Sequence, residues 1–169
     1  MFWSRARAVY LMIVILVIVA WAIALYLQIV EDMHPCALCI IQRIALLIIG
    51  VIALVAFIHH PRKWAKKIYV LMILIASGFG IYAAGFQLWL QHHPEVFHTC
   101  SPSMNILLQE YSVPQVIAMA FKGTKDCSEV HLSFLSLSLP GWTLILFIYI
   151  ALLCLGMLFY SMFLKPRPQ

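Results

Sequence analysis

The stretch AVYLMIVILVIVAWAIALYL, Ala8 to Leu27, contains no charged side chain. As a helix rising about 1.5 Å per residue it measures about 30 Å, the thickness of a bilayer's hydrocarbon core. Three more apolar stretches follow, so that candidate spans lie at about residues 8–29, 40–58, 68–90 and 141–164. The whole chain of 169 residues is 64% hydrophobic and 10% charged, with a mean hydropathy of +0.99. That balance excludes a water-soluble globule, which carries about 25% charged residues. Arg5 and Arg7 ahead of the first span would also suit a signal peptide, but Ala22-Ile23-Ala24, which resembles a cleavage site, lies inside the apolar run, so the helix is read as retained. The expected fold is an all-α membrane protein: a four-transmembrane-helix bundle forming one integral membrane domain over residues 1–169.

Charge placement orients it. A net charge of +5 would suggest a nucleic-acid partner in a soluble chain, but here the basic residues follow the topology and no nucleic acid is expected. Arg5 and Arg7 precede the first span, Arg62, Lys63, Lys66 and Lys67 separate the second from the third, and Lys165 and Arg167 follow the fourth. Short loops rich in Lys and Arg stay in the cytoplasm, which places both termini there. All six acidic residues, with Lys122 and Lys125, fall in two outward loops at about 30–39 and 91–140. Within the longer loop Asn105 to Phe121 is too apolar for a solvated linker, and a short membrane-surface helix interrupted near Pro114 is expected. In the third span Ala76, Gly80 and Ala84 recur every four residues, with Gly78 and Gly85 nearby, a pattern that lets a neighbouring helix approach closely.

This topology sorts the five cysteines. Cys36, Cys39, Cys100 and Cys127 lie on the outer side, an oxidising compartment where disulfides persist, whereas Cys154 lies inside the fourth span as a small apolar residue. Two outer pairs suggest two disulfides. A bond across the two residues of Cys36-Ala37-Leu38-Cys39 closes too small a loop to remove much chain entropy, so its value is chemical rather than structural. At a helix start, where Pro35 suits the first turn, backbone amides and the helix dipole favour a thiolate. For Cys100 with Cys127 taken alone, a loop staple and a redox pair are equally good readings.

Arg43, four residues after Cys39, shares its helix face one turn deeper. A guanidinium at that depth is costly and functional by default. It could stabilise a Cys39 thiolate or donate to an anionic or carbonyl-bearing group at the membrane boundary. His92 and His93, just after the third span, stand at the level of Cys36 and Cys39 and could bond a cofactor carbonyl or pass protons. The Cys and His spacing lacks the second close pair of a zinc site, so no metal is expected.

Four spans with inward termini, a Cys-x-x-Cys opening the second helix, an arginine four residues on and a spaced cysteine pair in the long outer loop together resemble the disulfide bond formation protein B (DsbB) family. The resemblance covers nearly the whole chain and is most specific at Pro35-Cys36-Ala37-Leu38-Cys39-Ile40-Ile41-Gln42-Arg43, at Gln87-Leu88 leading to His92, at Val113-Pro114-Gln115-Val116 and at Asp126-Cys127. It implies a protein-dithiol:quinone oxidoreductase of the bacterial inner membrane with its active site on the periplasmic side. Such an enzyme reoxidises a periplasmic thioredoxin-fold thiol oxidase of the DsbA kind. In that scheme a partner thiolate attacks Cys100, Cys127 then attacks Cys36, and Cys39 is released as the thiolate facing ubiquinone or menaquinone, with Arg43 and His92 as cofactor contacts. The partner's disulfide, at about −120 mV, is already strongly oxidising, so its reoxidation needs an acceptor of higher potential that can diffuse in the bilayer.

Two other readings compete. A vitamin K epoxide reductase resemblance is disfavoured by cysteine order, since that family's loop cysteines precede its Cys-x-x-Cys. A non-catalytic membrane scaffold or accessory protein with loop-stapling disulfides would make the Cys36–Cys39 bond inert and Arg43 replaceable.

Overall fold

In the computed structural model the described residues are 2–30, 36–59, 61, 63–93, 133–134 and 137–163. They form helices α1 (Phe2–Val30), α2 (Ala37–His59) and α3 (Lys63–His92), a two-residue antiparallel pair β1 (Ser133–Phe134) and β2 (Leu137–Ser138), and helix α4 (Leu139–Phe163). The four helices are long and apolar enough to cross a membrane, as a four-helix membrane bundle requires. The first three helices begin three to six residues ahead of their apolar runs, and α4 two residues ahead. α3, for example, starts at Lys63 and ends at His92, so His92 is the last helical residue rather than the first beyond it. The expected surface helix at Asn105 to Phe121 lies outside the described residues, as do Cys100 and Cys127.

Packing runs α1 on α2, α2 on α3 and α3 on α4, with α1 and α4 touching only slightly. On α2 the inward stripe is Leu38, Gln42, Ala45, Leu46, Ile49, Ala53 and Ala56, the three- and four-residue spacing that keeps one helix face inward. It meets Tyr10, Ile13 and Val17 of α1, Val70 and Ile73 of α3, and Phe147, Ile150 and Cys154 of α4 in one core. A smaller cluster, Leu38 and Leu90 with Cys36, Ala37, Ile41 and Phe86 against them, closes the end of the bundle where α2 begins. At the opposite end Arg7 lies over the Phe57 ring, 4.7 Å from its centroid, a cation–π contact. His59 there sits 3.2 Å from the Tyr69 hydroxyl. Isoleucines and leucines such as Ile18, Ile58, Ile75 and Leu152 point outward and exposed, as expected of helices solvated by lipid.

Small residues set the helix spacing at two points. A Cβ built on Gly50 would lie 2.8 Å from Val17 Cγ1, and one built on Gly80 would enter the Phe147 ring, whereas Gly78 and Gly85 face open space. Of the small residues flagged in the third span, Gly80 and Ala84 are therefore the ones at a close approach; Ala84 is fully buried. Because Phe147 is itself fully buried, its ring has nowhere to retreat. Gly80→Ala is expected to lower the thermal unfolding midpoint in detergent, at a cost of about 1–3 kcal/mol from overpacking. Gly78→Ala, open on its outer face, is expected to leave the midpoint unchanged or raise it.

Candidate functional site

α2 begins at the sulfur pair. Cys36 is the residue before the helix: its carbonyl accepts the first helical bond from Ile40 N at 3.1 Å, and its Sγ accepts from the Cys39 amide at 3.4 Å. A thiol thus takes the place usually held by Ser, Thr, Asp or Asn, satisfying one of the amides that a helix start leaves unpaired. The Cys36 and Cys39 sulfurs stand 3.0 Å apart, in contact but not bonded, since a disulfide measures about 2.05 Å. Both cysteines are half-buried. The structure thus sets side by side the two sulfurs that the sequence pairs.

The next contacts come from across the bundle. Gln87 of α3 directs its side-chain amide nitrogen to both sulfurs, 3.3 Å from Cys36 Sγ and 3.2 Å from Cys39 Sγ, one N–H for each. Its Oε1 accepts from Gln42 Nε2 at 2.8 Å and lies 3.7 Å from Cys39 Sγ. Gln42 Oε1 in turn faces the Thr143 hydroxyl of α4 at 2.7 Å, and that hydroxyl is 2.9 Å from the Pro140 carbonyl. Gln42 and Gln87 are each 3% exposed. A buried amide that finds no partner costs about 1–3 kcal/mol, so two amides at this depth have to meet something. One turn further along α3, Gln91 Oε1 accepts from Ser138 Oγ at 2.8 Å, tying α3 to the start of α4 beside the site.

Arg43 sits on α2 one turn below Cys39, but its guanidinium is turned to α1: Nη1 donates to Gln28 Oε1 at 2.6 Å and Nη2 to the Ala24 carbonyl at 3.3 Å. Among the described residues its partners are thus neutral acceptors, so its charge is solvated by dipoles and not cancelled by a carboxylate. His92 and His93 are exposed and turn back on their own helix. Nδ1 of each bonds the carbonyl four residues earlier, Leu88 at 2.8 Å and Trp89 at 3.1 Å. Carbonyls only accept, so Nδ1 carries the proton and Nε2 of a neutral ring is left as an acceptor. His93 also stacks on Trp89, with ring centroids 5.0 Å apart.

The structure therefore joins Cys36 and Cys39 to each other, turns Arg43 towards α1, and places His92 at the end of α3 against its own backbone. Sequence reasoning missed Gln42, Gln87 and Thr143 as site residues. The signal was available, because each is an uncharged polar side chain inside an otherwise apolar span, where such a group needs a partner. Cys154 is buried in the main core, 1% exposed and among Ile13, Ile150 and their neighbours rather than near the sulfur pair.

These features define a class, a four-helix membrane protein with a Cys-x-x-Cys centre at one end of its bundle. The family model for disulfide bond formation protein DsbB matches residues 6–157, and the chain belongs to that family. It is 39% identical over 135 residues to a disulfide bond formation protein B of Nitrosococcus oceani, a match covering 79% of this chain and 80% of that relative. It is 41% identical over 127 residues to one of Marinobacter nauticus, covering 75% and 76%. With one of Nitrosomonas europaea it shares 36% over 155 residues, covering 92% and 94%. No solved structure matches the chain significantly.

Since Cys154 is distant from this centre, Cys154→Ala is expected to leave the rate of thiol oxidation within about twofold of the parent protein, measured by thiol loss against time. A larger loss would give the residue a part in the chemistry.

Proposed function

We propose that the chain is a protein-dithiol:quinone oxidoreductase that reoxidises a periplasmic DsbA-like thiol oxidase through two disulfides, Cys100–Cys127 and Cys36–Cys39. The observation that carries the proposal is the sulfur pair at the start of α2, at contact distance and hydrogen-bonded from a neighbouring helix. A pair built as a loop staple needs neither an amide from its own helix nor a buried glutamine aimed at it. Membership of the DsbB family supports the same reading. The charge distribution supports an inner-membrane location in which both termini are cytoplasmic and the sulfur pair faces the periplasm.

The exchange steps balance as follows. A partner thiolate attacks Cys100 of the Cys100–Cys127 disulfide, and Cys127 leaves as a thiolate. Cys127 attacks Cys36 of the Cys36–Cys39 disulfide, and Cys39 leaves as a thiolate. The partner's second thiol displaces Cys100, so the partner departs oxidised. Cys100 then attacks Cys127 of the Cys36–Cys127 bond, restoring the loop disulfide and leaving Cys36 and Cys39 reduced. At Cys36 the helix-start amide stabilises the departing thiolate, and better leaving groups exchange faster. A membrane quinone, ubiquinone or menaquinone, supplies the two-electron, two-proton acceptor that returns this pair to the disulfide.

The residues present suit such a group. Arg43 is a half-buried donor whose present partners are neutral and exchangeable, and a guanidinium is well matched to a quinone oxygen. His92, with Nδ1 committed to Leu88, has Nε2 left for a second contact. Holding the ring is the role of Arg43, and the sulfur chemistry belongs to Cys39.

Steady-state quinone reduction by a reduced DsbA-type partner tests this. Cys39→Ser is expected to abolish turnover. Arg43→Ala is expected to raise the KM for quinone about tenfold or more, the loss of one charge-assisted hydrogen bond worth about 1.5–3 kcal/mol, with a smaller effect on kcat. An unchanged quinone response in Arg43→Ala would remove that residue from the site, and turnover by Cys39→Ser would refute the proposed centre.

A further inference from the structure

The geometry points to Gln87 as a third catalytic group at the sulfur centre: its amide stabilises the reduced pair over the disulfide, and Gln42 and Thr143 are positioning residues that fix which end of that amide meets the sulfurs. This rests on the redox reading above and adds a determinant of the pair's potential.

A glutamine can present either a donor or an acceptor to whatever it faces, and the two ends have opposite effects on sulfur. Donors favour a thiolate, which accepts strongly; a disulfide sulfur accepts poorly, so the same N–H groups stabilise the reduced state preferentially. An oxygen facing the sulfurs would repel a thiolate. The choice is made by the neighbours. Gln42 Nε2 donates to Gln87 Oε1 at 2.8 Å, so that this oxygen stands farther from Cys39 Sγ, at 3.7 Å, while Gln87 Nε2 donates at 3.3 and 3.2 Å to Cys36 and Cys39. Turning Gln87 alone would oppose one amide nitrogen to another at a site where both side chains are nearly fully buried, leaving donors unpaired at about 1–3 kcal/mol each. Gln42 is held in its turn by the Thr143 hydroxyl, 2.7 Å from Gln42 Oε1. Reversing the chain would require both amides to rotate together while Thr143 gave its one proton to the Pro140 carbonyl instead, 2.9 Å away.

Among the described residues, Arg43 on α2 is turned to Gln28 and Ala24, and His92 and His93 at the end of α3 are each bonded to their own helix. α4 contributes the neutral Thr143. The Cys39 amide donates to Cys36, and Gln87 donates to both sulfurs. Its consequence is a more oxidising pair, since stabilising the reduced form of a dithiol raises its potential. Cys36 and Cys39 therefore accept electrons more readily from the loop cysteines.

The test uses the full-length chain carrying Cys100→Ser, Cys127→Ser and Cys154→Ala, so that Cys36 and Cys39 are its thiols. The protein is freed of quinone, equilibrated anaerobically in detergent with oxidised glutathione in large excess over reduced glutathione, and its disulfide fraction read by mass after alkylation. In this equilibrium the protein dithiol gives two electrons and two protons to oxidised glutathione, which is cleaved to two glutathione thiols. Gln87→Met, of similar length but with no donor, is expected to shift the constant about tenfold towards the protein disulfide, which corresponds to about 30 mV for a two-electron couple. Thr143→Val, which touches neither sulfur, is expected to shift it in the same direction by about threefold, and Thr143→Ser, which keeps the hydroxyl, to restore the parent value. A Gln87→Met constant within twofold of the parent, or equal constants for Thr143→Val and Thr143→Ser, would overturn the assignment. A parent protein that forms no Cys36–Cys39 disulfide at any ratio would overturn the redox reading itself, and the assignment with it.

Discussion

Hydrocarbon offers no hydrogen bonds, so polar side chains buried between membrane-spanning helices have to satisfy one another. In this bundle they do so along one line, from Thr143 of α4 through Gln42 of α2 to Gln87 of α3, and the line ends on two sulfurs. Three helices meet there, and the partners of both glutamine amides lie on other helices or at the sulfurs. The contact between α2 and α3 at this end also contains the small apolar cluster of Leu38 and Leu90, nearer the helix ends than Gln42 and Gln87 and packed against Cys36, so the polar line is covered at this end while the cysteines stay half-buried.

The arrangement separates tasks that a single residue could not perform. Apolar packing around Ile49, Ile73 and Phe147 holds the helices together. The start of α2 gives Cys36 an amide, because a helix begins with N–H groups that lack partners. Gln87 supplies a donor from a different helix, so the sulfur environment depends on how α2 and α3 are docked and not only on local sequence. Arg43, bonded to Gln28 and Ala24, has its charge solvated by the end of α1.

Much of this was legible in the residues. The four spans followed from apolar runs of bilayer length, and the described helices α1 to α4 overlie them with ends displaced by up to six residues, at α1. The displacement has a physical reason: helices continue into the polar boundary beyond the hydrocarbon, where Arg5, Arg7, Lys63, Lys66 and Lys67 carry charge and a hydropathy reading stops. The Cys36–Cys39 pair and its place at a helix start were legible from Pro35 and the two-residue spacing. The direction of Arg43 was not, because position on a helix face fixes where a side chain begins and not which neighbour its long stem reaches. Gln42 and Gln87 were passed over for a similar reason: their importance lies in a bond between residues 45 positions apart, and no local pattern joins them.

The most direct measurement is an anaerobic single turnover. Quinone-loaded, fully oxidised protein is mixed with a reduced DsbA-type partner, and quinone absorbance and partner thiols are counted together. With partner limiting, a two-disulfide relay predicts one quinone reduced for each partner disulfide formed, and no quinone reduced when Cys36 or Cys100 is replaced by serine. A folded, oxidised wild-type protein that leaves both quinone and partner unchanged would contradict it.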